Sequence, residues 1–297
     1  MWRWLASPII CLLLVSSAKA DWILVPPLHV ADSILGEEYF EDAQITHNST
    51  STADTVNYGA GETVNVGFFN PGSKQQRMYG KINFSETVPS TASITRFLYL
   101  IRLSASVIVE DTLYLWRNNA PANEGTGTSV SGATLGAQNG ITWTKRLNFT
   151  LSSETDSLFD IAGASSADST AVDVTNFAAM LLPARNYLLG TQADTTKDRG
   201  RFAIDTTRVA ASQSGWVTFD LTYLAQQWQA YRKNTANGFP NNGFFITAHH
   251  EADAVNGKGA VFISRENASS ALEPRAVVDW QDIQVPGAIG PSVKGIR

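Results

Sequence analysis

Short segments rich in Val, Ile, Thr, Phe, Tyr and Trp recur along this chain between clusters of Gly, Asn, Ser and Pro, and long helical periodicity is scarce. Clear examples are Thr63 to Phe69, Met78 to Phe84, Arg96 to Leu103, Thr112 to Trp116, Ile141 to Leu151, Trp216 to Leu221, Gly243 to His249, Ala260 to Ser264 and Arg275 to Trp280. Many strand-like runs with no long helices between them predict an all-β fold, an antiparallel β-sandwich or jelly roll. One stretch departs from this pattern. Leu221, Leu224, Ala225 and Trp228 fall at i, i+3, i+4 and i+7, which predicts one short helix near 221–231 with Asp220 or Thr222 as its cap. Asn237-Gly238 and Pro240 should end it, and the helix is expected to close one end of the sandwich with Trp228 in the core.

A chain of 297 residues is long enough to bury a core without covalent staples. That matters because it has a single cysteine. Cys11 lies in MWRWLASPIICLLLVSSAKA, where Arg3, an apolar run from Leu5 to Val15 and Ala18-Lys19-Ala20 make the pattern of a secretory signal peptide over residues 1–20. The run is shorter than the ~18 to 20 residues of a membrane span. Cleavage would leave an exported chain with no cysteine, 20 Lys+Arg against 27 Asp+Glu, and a formal charge of −7. An acidic chain lacks the basic face that phosphate neutralisation needs, which argues against nucleic acid as a partner. Asn48, Asn83, Asn148 and Asn267 each open a glycosylation sequon. With 18 Asn and 53 Ser+Thr, chance alone gives about three.

Three regions fit a compact module poorly. Residues 21–39 are a largely apolar N-terminal extension marked by Pro26-Pro27. Residues 152–175 are rich in Ser, Thr, Ala and Asp and read as a long surface loop, with a short helix possible over Val174 to Leu182. Residues 282–297 form a Gly- and Pro-rich C-terminal tail.

Three blocks in the C-terminal half carry a family pattern: GWVTFDLTYLAQQW (Gly215 to Trp228), NNGFFITAHHE (Asn241 to Glu251) and VFISRENASSALEPRAVVDW (Val261 to Trp280). In this order they resemble the closing half of a DNRLRE-type domain. EDAQI (Glu41 to Ile45) is similar to that family's first strand and DTVNYGAGETVNVG (Asp54 to Gly67) to its following turn and strand. The resemblance covers residues 40–281 with an insertion at about 118–210. It implies a secreted β-sandwich of the kind appended to microbial surface proteins and polysaccharide-active enzymes, some relatives being carbohydrate-binding modules for acidic polysaccharides such as alginate. The module fills nearly the whole mature chain, so free glycan binding or matrix building is the expectation.

Stacking on sugar rings needs aromatic faces with polar or cationic groups beside them. Trp116-Arg117 and Trp143 with Lys145 and Arg146 meet that description, the competing reading being an inward Trp with outward charges. Trp216, Trp228 and Trp280 read as packing residues. Period-2 geometry places His249, Glu251 and Asp253 on one strand face, a weak metal candidate that competes with a polar strand end. A structural calcium held by Asp and Asn loops is possible, although no D-x-D-x-D-G loop occurs. No G-x-S-x-G elbow and no H-E-x-x-H motif is present, and Glu37-Glu38 with Glu41-Asp42 read as a solvated face rather than an acid/base pair. The sequence therefore favours a non-catalytic carbohydrate-binding protein. The alternatives are a self-assembling extracellular matrix or surface protein joined through residues 21–39, and, more weakly, a polysaccharide lyase or hydrolase.

Overall fold

The computed structural model describes residues 30–48, 58–69, 74–105, 107–124, 140, 145–147, 157–158, 203–251 and 258–281. Among the described residues it is an antiparallel β-sandwich with one α-helix. The first sheet joins β1 (Val30–Leu35), β13 (Arg275–Gln281), β5 (Ser93–Arg102) and β10 (Trp216–Asp220) in that order. The second runs β12 (Lys258–Ile263), β3 (Thr63–Phe69), β4 (Lys74–Ile82), β11 (Phe244–Ala248), β6 (Asp111–Arg117) and β9 (Asp205–Val209), with β2 (Phe40–Asn48) also on β4. A separate small pair joins β7 (Lys145–Leu147) to β8 (Ser157–Leu158).

The second sheet curls because β4 is shared. Strand β2 pairs with β4 along its whole length, while the other edge of β4 is divided between β3 at Lys74 to Gln76 and β11 at Met78 to Gly80. Backbone bridges from Leu103 to Phe262 and from Val109 to Lys258 tie the far end of this sheet to the β5–β6 connection. At the opposite seam, Thr207 Oγ1 donates to the Thr218 carbonyl at 3.0 Å and the Asp220 N–H donates to Asp205 Oδ2 at 2.8 Å, so β9 meets β10.

Alternation along the strands decides what fills the core. In β5 the buried positions include Phe97, Tyr99 and Ile101, and in β6 they are Asp111, Leu113, Leu115 and Arg117. Residues of both sheets form one apolar cluster, in which Tyr99 lies 5.7 Å from Phe40 and 5.3 Å from Phe244 between ring centroids. A smaller cluster of Ala43, Ile45, Tyr79, Ala122 and Phe245, with Trp116 packed against it, sits on the outer side of the second sheet. Strand β11 is consequently buried at all five positions.

The helix α1 (Thr222–Lys233) forms where the periodicity predicts it, and Leu221, Leu224, Ala225 and Trp228 are buried. Its cap differs from expectation. Leu221 occupies the N-cap without a side-chain hydrogen bond, and Asp220 accepts the Thr222 N–H at 2.8 Å from one residue earlier. The Thr222 hydroxyl instead accepts the Phe97 N–H at 2.9 Å, tying the helix to β5. Two boundaries also shift. Residues from Val30 belong to the sandwich, since β1 pairs with β13 in register from Val30↔Gln281 to Leu35↔Ala276. The chain rejoins the second sheet at β9, inside the span read as an insertion. Residues 174–182 lie outside the described residues, and no helix among those described is long and apolar enough to cross a membrane.

Candidate functional site

The outer face of β6 and β11 carries a line of rings. Tyr114 and Trp116 are two residues apart on β6, so both project away from the core, with ring centroids 5.9 Å apart. His249, just past β11, continues the line 5.6 Å beyond Tyr114. Hydrogen bonds fix the rings: Trp116 Nε1 donates to Thr247 Oγ1 at 2.9 Å, and the Tyr114 hydroxyl meets His249 Nδ1 at 2.8 Å. Tyr114 and Trp116 are half-buried and His249 is exposed. His250 stands edge-on to His249 at 4.4 Å, its Nδ1 held 2.7 Å from Asp111 Oδ1.

Arg117, by contrast, shares the inward parity of Leu113 and Leu115. It is 1% exposed, its guanidinium lies 4.4 Å from the centre of the Phe239 ring, and its Nε donates to Asn119 Oδ1 at 2.7 Å. The pairing of indole and cation expected from Trp116-Arg117 is thus split between the two faces of one strand. Arg77 of β4, two residues from the outward Tyr79, donates through Nε to the Glu251 carboxylate at 3.0 and 3.1 Å, and its Nη2 is also bonded to it. Glu251 is therefore engaged as an ion-pair partner. Among the described residues, no three His, Cys, Asp or Glu side chains gather at a position for a metal.

Trp143, Asn148 and Asp253 lie outside the described residues, as do the side chains of Asn48, Lys145 and Arg146. Asn83 is exposed and donates to Glu41 Oε1 at 3.1 Å, while Asn267 is half-buried and accepts the Ser269 N–H at 3.1 Å. Trp228 is in the core and Trp280 packs against it. Trp216 differs from the packing expectation: it is half-buried with the Arg275 guanidinium 4.1 Å from its ring centre. Tyr114 and Thr247 escape a search that looks only for tryptophans beside cations. Their signal was the two-residue spacing in TLYLWR and FFITA.

A second polar cluster lies behind this face. Glu124 accepts the Asp42 N–H at 2.7 Å and two guanidinium bonds from Arg265, at 2.8 Å from Nε and 2.5 Å from Nη2. Asp42 Oδ2 accepts the Arg265 N–H at 3.0 Å, and Asp42 Oδ1 is buried with no partner. Burial pushes the Asp42 carboxyl up to about 7 and the Glu124 carboxyl up to about 8, against the lowering pull of Arg265 and the backbone bonds. Burial likewise raises the phenols of Tyr79 and Tyr99 well above their ordinary value.

No family model and no curated protein matches this chain.

Proposed function

We propose that this protein is a secreted, non-catalytic carbohydrate-binding protein of the DNRLRE kind, acting on an extracellular or cell-wall polysaccharide. The observation that carries this reading is the Trp116–Tyr114–His249 line on an outer sheet face. Sugar rings stack their C–H faces on aromatic rings and give their hydroxyls to flanking polar groups, here the Tyr114 hydroxyl and the imidazoles. Three rings in succession suit an extended polymer better than a single sugar. Arg77 is committed to Glu251, so neutral polysaccharides should bind at least as well as alginate or pectin.

Affinity electrophoresis against cellulose derivatives, chitin, pectin and alginate tests the reading. Binding to at least one polymer is expected, with Trp116→Ala weakening it about tenfold or more, equivalent to roughly 1.4 kcal/mol. Absence of binding to every polymer, or full binding by the variant, overturns it.

A second reading, self-assembly into an extracellular surface or matrix, is favoured by one observation. Strand β1 ends the order of the first sheet, and its Ile34 is 69% exposed, which places an apolar edge where residues 21–29 enter. Light scattering of the chain with and without residues 21–29 separates the two, since a monomer in both forms removes the assembly reading.

A further inference from the structure

We infer that Asp42 and Glu124 form a proton-dependent latch holding the strap of residues 118–124 against the outer face of the second sheet. The strap leaves β6 and crosses that face beside the aromatic line. Asn118 Nδ2 donates to the Asn242 carbonyl at 2.8 Å, Asn242 Nδ2 returns to the Asn119 carbonyl at 2.9 Å, and the Ala122 carbonyl accepts the Tyr79 hydroxyl at 3.2 Å. Glu124 ties it to Asp42 and Arg265.

Charge counting shows why a proton belongs here. Two buried carboxylates, Asp42 and Glu124, face one guanidinium, and Arg265 also serves Glu266 Oε1 at 3.0 Å. One negative charge is left over, and a buried charge without a partner is costly. Both Glu124 oxygens receive guanidinium donors and Asp42 Oδ2 takes a backbone N–H, so the pair shares one proton, Asp42 Oδ1 being its one carboxylate oxygen with no partner. Among the described residues, the other groups facing the pair do not replace it. Tyr79 of β4 and Tyr99 of β5 are buried neutral phenols, Glu266 adds negative charge, and Glu41 is paired with Lys81 at 2.8 Å.

Loss of that proton puts a second negative charge into the cluster. Asp42 is fixed within β2, whereas Glu124 sits on the strap, so relief comes from Glu124 moving to water and releasing the strap from β2. Ala122 and Trp116 belong to the same outer cluster, so release loosens the support of the aromatic line. On the carbohydrate-binding reading above, the latch would weaken glycan binding at alkaline pH.

Hydrogen exchange of the full chain at pH 6 and pH 9, corrected for intrinsic exchange, tests the latch without any glycan. Protection of the Asp42 amide and residues 118–124 should fall by about tenfold or more at pH 9, since one proton changes an opening equilibrium up to about tenfold per pH unit above its titration. Asp42→Asn, which is neutral and nearly isosteric, should keep its pH 6 protection at pH 9. Glu124→Gln serves the same purpose if the first variant does not fold. Equal wild-type protection at both pH values, or the same loss in the neutral variant, overturns the latch. A protection switch in a protein that binds no glycan would sink only the carbohydrate reading.

Discussion

Trp116 and Arg117 are neighbours in sequence that do opposite things. Trp116 supports an outer surface, and Arg117 fills the end of the core against Phe239. Arg117→Ala should therefore destabilise the fold by about 3 kcal/mol, because it removes a buried, hydrogen-bonded cation, and urea denaturation checks this. Trp116→Ala should cost binding far more than folding. The acids give a pH dependence of definite sign. Asp42 rises from 3.8 to about 7 and Glu124 from 4.5 to about 8 on folding, so the native state holds more protons than the unfolded state between roughly pH 4 and 8. Their stabilising contribution is full below pH 4 and is lost as pH rises through 7 to 8. The melting temperature should be higher at pH 5 than at pH 8.5, the loss being at most about 1.4 kcal/mol per pH unit for each proton. Asp42→Asn should flatten the profile. Nothing in the residue pattern around Glu41-Asp42 revealed this, because both partners of Asp42 come from far along the chain.

Strands and the helix were legible to different degrees, for reasons that lie in their packing. Strand β3 has the bounds its apolar alternation predicts, whereas β4 begins at Lys74 rather than Met78. Its polar start, Lys74 to Arg77, carries no apolar alternation, but β2 pairs with it along that whole length. Strand β9 (DTTRV) has too little apolar periodicity to announce itself and is held by the seam with β6 and β10. The helix was plain from its period, but its docking was not. Gln229, buried in α1, donates through Nε2 to the carbonyls of Pro89, Ser90 and Ala92. Gln229→Ala should destabilise by about 1 to 3 kcal/mol through those carbonyls losing their donor, as read by chemical denaturation. At the crossing of β3 and β12, Gly67 has φ +125°, and a Cβ there would stand 2.1 Å from the Lys258 carbonyl oxygen. Gly67→Ala should cost about 1 to 3 kcal/mol from backbone strain alone.

Across the molecule, the first sheet is completed only when the chain before Phe40 returns to lie along its last strand, β13. Removing residues 1–35 should lower the melting temperature and promote aggregation, because it strips Leu35 from the core and bares the edge of β13, which calorimetry and light scattering would report. Local pattern was enough to establish a β-rich chain, the helix over Thr222–Lys233 and a Trp228 core position, because alternation and helical period are written in neighbouring residues. It could not decide which side of a strand faces the second layer, since that depends on register between segments far apart. Only the packed sandwich separated Trp116 from Arg117, brought Tyr114 and His249 into line with the indole, and enclosed Asp42, Glu124 and Arg265 in one low-dielectric pocket of charge.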